Sequence, residues 1–155
     1  MSRQDTLKFE IISDKENYPY ELLLLADETV ESINKYIFDS IVYCAKNEEN
    51  TIAAFCLYEV DENTIELKNI AVAEKFQNRG YGSEIISFIK KICKDKYSKI
   101  IVGTGDCGIN QINFYAKNGF RKYDIRKNFF IDNFEKPIFE NGIQLKDMVL
   151  LKYEL

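Results

Sequence analysis

Gln77-Asn78-Arg79-Gly80-Tyr81-Gly82-Ser83 lies between an apolar run at residues 65–72 and an amphipathic stretch from 81 to about 94. The run reads as a strand and the stretch as a helix. A glycine-rich turn at such a junction can gather several backbone N–H groups at one point. The helix N-terminus adds unpaired donors and partial positive charge. Phosphate or pyrophosphate suits that arrangement, since a Cβ would crowd an anion lying on the main chain. The spacing is not that of a Walker A loop, which has four residues between its glycines and then Gly-Lys-Ser/Thr. Nor is it the dinucleotide fingerprint, whose third glycine would fall at Ile85. Taken alone, the segment leaves a plain strand-to-helix turn open.

Downstream, Ile85, Ile86, Phe88, Ile89, Ile92 and Cys93 make one broad apolar helix face. Lys90, Lys91, Lys94 and Lys96 are expected on the solvated side, where they complement the helix dipole. Residues 99–103 read as a buried strand and 103–108 as a loop, with Asp106 expected to cap the next helix. Asn113-Phe114-Tyr115-Ala116-Lys117-Asn118-Gly119-Phe120 closes that short helix, with Gly119 at a left-handed C-cap. Strands are expected at 120–126 and 149–153. Between them, residues 127–145 hold Phe129, Phe130, Phe134, Pro137 and Phe139 among Asp132, Glu135 and Glu140. Loop phenylalanines usually pack on the core; a substrate-pocket wall or a dimer contact is the functional alternative.

Upstream, residues 7–12 read as a strand and 14–19 as a polar turn, with Pro19 at a helix start. Helices follow at 20–26 and 29–36, the second with Val30, Ile33 and Ile37 on one face. Residues 40–46 and 51–60 flank the hairpin turn Asn47-Glu48-Glu49-Asn50, and 64–72 extends them into an antiparallel meander.

The chain has 155 residues, suited to a single domain over 1–155 that buries about two-thirds of its unfolded surface. No apolar run nears the ~18 residues of a membrane helix. Met1-Ser2-Arg3-Gln4-Asp5 lacks the apolar core of a signal peptide. The four cysteines (Cys44, Cys56, Cys93, Cys107) fall in no metal spacing and histidine is absent, so no metal site is expected. Three core thiols and one loop thiol suit a cytoplasmic protein. The net charge of −4 argues against a nucleic-acid partner and favours cationic substrates.

The order strand, Gly-rich turn, long helix, strand, short helix ending Tyr-x-x-x-Gly-Phe, strand resembles the GNAT family of N-acetyltransferases. Its members move an acetyl group from acetyl-CoA to an amine. The matching residues are Leu67, Ile70 and Val72, then Gln77, Gly80 and Gly82, then Tyr115, Gly119 and Phe120. The resemblance covers about residues 51–126 and leaves 127–145 as an aromatic insertion. It implies an α/β fold: a mixed, largely antiparallel sheet of six or seven strands with helices on both faces. The cofactor would lie in a V-shaped gap between residues 64–72 and 99–103.

The resemblance also implies roles. Main-chain N–H groups of Asn78, Arg79, Gly80, Tyr81, Gly82 and Ser83 would hold the diphosphate, with side-chain help from Gln77 and Arg79. Backbone at Ile70, Ala71 and Val72 would pair with the pantetheine arm like an added strand, the side chains at 70 and 72 being core. Tyr115, a phenol of ordinary pKa near ~10, would donate to the leaving thiolate. Glu66 would take the ammonium proton, with water alone as the alternative. The family often has an asparagine where Gly108 stands here; Asn110 would compensate. Cys107 as a covalent acyl acceptor is the minor route. The expected function is acetyl transfer to a small-molecule or protein amine by direct attack in a ternary complex. A non-catalytic acyl-CoA sensor and a structural protein with a degenerate site are the competing readings. No membrane partner is expected, and a homodimer is left open.

Overall fold

A computed structural model describes residues 6–48 and 50–155. Met1–Asp5 and Glu49, both read above, lie outside them. In chain order the elements are β1 (Lys8–Ile12), α1 (Tyr20–Leu23), α2 (Val30–Asn34), β2 (Ile41–Lys46), β3 (Thr51–Asp61) and β4 (Thr64–Val72). Then come α3 (Tyr81–Cys93), β5 (Lys99–Gly105), α4 (Ile109–Lys117), β6 (Arg121–Arg126), α5 (Phe129–Asp132), β7 (Phe139–Glu140), β8 (Ile143–Gln144) and β9 (Met148–Glu154).

Seven strands form one sheet in the order β1-β2-β3-β4-β5-β9-β6, and β7 with β8 makes a separate ribbon. All pairs are antiparallel except β4 with β5. The sheet is thus mixed and largely antiparallel, with helices on both faces. On one face Ile85, Ile86 and Ile89 of α3 pack with Phe55, Leu67, Ile100 and Val102. On the other, Leu23, Ile33, Tyr36 and Ile37 pack with Val42, Ala54 and Cys56. Residues 52–57 are therefore buried on both sides, which is why that strand reads as a continuous apolar run rather than an alternation.

Two features of β4 position the site. Its pairing with β5 ends at Leu67 opposite Val102. Beyond that point β4 stays with β3 through Val72, while β5 stays with β9 through Gly105. The gap expected between the two strands opens there. Next, Leu57 faces Leu67 and Cys56 faces Asn69, so Lys68 is an extra residue, a β-bulge. The bulge keeps Ile70 and Val72 on the same face as Ile65 and Leu67.

Several local expectations are corrected. The two N-terminal helices are one turn each. Pro19 precedes the first as its N-cap, and Thr29 caps the second by accepting from the Ser32 N–H. Val30 is exposed rather than facing inward with Ile33. Residues 103–105 belong to β5, not to a loop. Asp106 does not cap α4, whose N-cap is Gly108; its carboxylate accepts from the Lys146 and Asp147 N–H groups instead. Lys90 is half-buried rather than solvated. Its ammonium lies 3.9 Å from the Tyr153 ring centroid and donates to the Asn118 carbonyl at the end of α4. Loss of hydration there lowers its pKa.

Candidate active site

Where β4 and β5 part, a cavity of about 910 Å³ opens. Its walls are the free edge of β4, the turn into α3, the start of α4, the α1–α2 segment and the 127–145 insertion. Glu66, Ile70, Ala71, Val72, Gln77, Asn78, Gly80, Tyr81, Gly82, Ser83, Asn110 and Tyr115 all line it. Arg79 does not; its guanidinium lies 5.8 Å from the Phe76 ring centroid.

The turn into α3 is built by conformation. Asn78 has φ 62° and Gly80 φ 85°, the left-handed region. Nothing lies within 4 Å of where a Cβ on Gly80 would stand. Gly80 is also the N-cap of α3 and brings no side chain to cap it. A 13-residue helix therefore opens toward the cavity with open space above its first turn. That cradle fits a diphosphate. Gly82 has a different reason to be glycine: a Cβ would meet the Phe114 ring at 3.0 Å. Gln77 is turned to the protein, its side-chain amide donating to the Val72 carbonyl at 2.9 Å. Ser83 is tied to Asn118, whose side-chain amide donates to its hydroxyl at 3.2 Å.

From residue 68 onward the edge of β4 that faced β5 has no strand partner and leaves backbone groups toward the gap, the Val72 carbonyl being the one taken by Gln77. Ile70 and Val72 are half-buried rather than core, packed on the main cluster from the cavity side.

Tyr115 packs between Phe114 and Phe120, with ring centroids 5.2 and 5.6 Å away. Burial pushes its phenol well above the usual tyrosine value. Tyr36 is raised as well, first by burial. Below pH ~10 folded and unfolded chains both hold these protons, and neither residue makes stability depend on pH. Above it the unfolded phenols ionise first, so the folded state holds more protons and stability falls as pH rises. We expect denaturant midpoints to drop as pH rises above about 10, less steeply in Tyr115→Phe. Equal slopes for the two proteins would contradict this assignment.

Glu66 is 6% exposed, not a surface strand residue. Its carboxylate is 3.2 Å from the Lys68 ammonium. That ammonium also lies 5.3 Å from the Tyr58 ring and 6.0 Å from the Tyr36 ring. Side chains two apart on a strand share a face, so Lys68 sets a cation of the chain itself against the candidate base.

The sequence reading missed a polar network beneath the cavity. Asn69, 3% exposed, donates to the Leu23 carbonyl at 3.0 Å and to the Tyr36 hydroxyl at 3.1 Å. Tyr36 in turn donates to Asp27 at 2.8 Å. Asn69 Oδ1 has no partner among the described residues. One signal was available: an asparagine inside an otherwise apolar strand needs partners from another element.

Cys107 does not line the cavity, and burial and then Asp106 raise its pKa. Both facts count against the covalent route. Cys44, Cys56 and Cys93 are buried and unpaired. Among the described residues, no three His, Cys, Asp or Glu side chains group to hold a metal, and no helix is long and apolar enough to cross a membrane.

Residues 9–120 match the model of the acetyltransferase (GNAT) family. The chain is 35% identical over 150 residues to the Bacillus subtilis N-acetyltransferase YvbK, covering 96% of this chain and 97% of that protein. A GNAT family acetyltransferase from Elizabethkingia anophelis, solved with acetyl-CoA bound, superposes with a TM-score of 0.91. It is 45% identical over 96% of this chain and 98% of its own. A Bacillus subtilis acetyltransferase solved in complex with CoA gives 0.87 at 34% identity, over 97% of this chain and 99% of its own.

Proposed function

This chain belongs to the acetyltransferase (GNAT) family, and from that premise we propose that it acetylates a primary amine by direct attack in a ternary complex. Its acetyl donor is acetyl-CoA, which supplies the activated thioester. The observation that carries the reading is the single cavity lined by the Gly80 turn, the unpaired β4 edge and Tyr115. Diphosphate, amide-bearing arm and sulfur are chemically different parts of one ligand, and these three features suit them in that order.

Main-chain N–H groups of residues 78–83 hold the diphosphate. The β4 edge at Ile70, Ala71 and Val72 pairs with the arm and offers an N–H to the acetyl oxygen as charge develops. Asn110 adds a side-chain contact from the first turn of α4. Glu66 accepts a proton from the incoming ammonium, which must lose one before its nitrogen can attack. Tyr115 donates to the departing sulfur.

Thiol release from acetyl-CoA across a panel of primary amines tests the reading. Release dependent on an amine is expected; binding of acetyl-CoA with no release for any amine would overturn it. Glu66→Gln is expected to lower kcat/KM about 100-fold or more and to flatten the acidic limb of the pH–rate profile. An unmoved profile would leave deprotonation to water.

A further inference from the structure

The cavity that Glu66 lines has walls of different composition. One wall is aromatic. Phe129 and Phe130 meet edge to face at 5.1 Å, and Phe130 stacks on Phe134 at 5.9 Å. All three line the cavity, and none belongs to either core cluster. Leu24 and Leu25, both exposed, line it from the α1 side. These phenylalanines are not serving the core, so the usual explanation of loop aromatics fails here.

The wall is also fixed in place. Asp106 at the end of β5 holds the Lys146 and Asp147 N–H groups. Asp147 accepts from the Asn128 N–H at 2.8 Å, and the Phe130 N–H donates to the Lys146 carbonyl at 3.0 Å. The Asn133 side chain donates back to the Phe129 carbonyl. A pre-ordered apolar wall costs little entropy when something binds against it.

The floor is the opposite in character. It carries the Glu66 carboxylate and Asn69, whose buried Oδ1 is unpartnered. Of the three insertion carboxylates only Glu140 lines the cavity, where Asp27 and Glu28 join it; Asp132 and Glu135 do not. Lys35, with its ammonium 6.0 Å from the Phe134 ring, and Arg126 stand at the outer walls.

We infer that the amine acceptor is an arylalkyl monoamine, its ring on the Phe129, Phe130 and Phe134 wall and its nitrogen beside Glu66. This rests on the acetyl-transfer reading above. A polyamine gains nothing from this wall: its second ammonium would lose hydration against the phenylalanine rings and beside Lys35, and it would have to reach the Asp27, Glu28 and Glu140 carboxylates instead.

The test compares 2-phenylethylamine with putrescine, using thiol release from acetyl-CoA. We expect kcat/KM at least about 10-fold higher for 2-phenylethylamine. Phe130→Ala and Phe134→Ala should each shrink that ratio, and Phe130→Leu should keep part of it. Equal or greater kcat/KM for putrescine overturns the inference while leaving acetyl transfer intact. If neither amine releases thiol, the wider panel of primary amines decides the transfer reading. Calorimetric titration of the CoA-loaded protein with the same two amines then decides the chamber: tighter 2-phenylethylamine supports the inference, and equal or weaker binding overturns it.

Discussion

Tyr115→Phe is expected to lower turnover about 10- to 100-fold with acetyl-CoA affinity unchanged. The ring remains, so the contacts to Phe114 and Phe120 survive and the fold is kept. What disappears is one hydrogen bond to a group that gains negative charge only as the reaction proceeds. Such a bond is worth about 1.5–3 kcal/mol. Because burial raises the phenol above its ordinary value, and an alkyl thiol ionises near ~8.5, complete proton transfer to the sulfur is uphill. Tyr115 therefore acts by holding the developing thiolate rather than by ionising. Turnover by thiol release and affinity by calorimetry separate the two quantities. Unchanged turnover would remove Tyr115 from the mechanism.

Gly80→Val is expected to show the second large effect. The backbone there has φ 85° and ψ 5°. An L residue in that region costs about 1–2 kcal/mol, and a β-branched one more. Space is not the limit, since nothing stands within 4 Å of the new Cβ. Two outcomes share the cost. If the turn is kept, the folded state loses about 2 kcal/mol. If the turn relaxes, the first N–H groups of α3 swing away and acetyl-CoA affinity falls about 10-fold or more. Denaturant melts and calorimetry on the same protein find the loss in one place or the other. No change in either would show that the left-handed turn is unnecessary.

The parts legible in the sequence were those with local causes. The α3 stripe, the β4 run and Gly119 each declare themselves through periodicity or a backbone requirement; Gly119 indeed has φ 92°. The seven-stranded mixed sheet was legible because the motifs fix the order of elements. The rest depended on partners distant in sequence. Asp106 looked like a helix cap because Asp147, forty-one residues away, was not yet beside it. Lys90 looked solvated because Tyr153 comes from the last strand. The insertion phenylalanines could not be placed by pattern, since no repeat distinguishes a core contact from a chamber wall. Glu66 was nominated from the resemblance. Its burial comes from elements packed over that face, which apolar periodicity alone does not announce; Lys68, the extra residue of the bulge, shares the face as any residue two positions on would.

That extra residue has an evolutionary consequence. Side chains along a strand alternate, so removing Lys68 would rotate the following segment by half a turn. Ile70 and Val72 would trade places with Asn69 and Ala71 across the sheet. Donor-facing and acceptor-facing surfaces share this one strand, so its length is locked even where its composition can drift. Descendants of this chain can retune what they modify by point substitution on either side, but a single-codon deletion at this point would scramble both halves of the reaction at once.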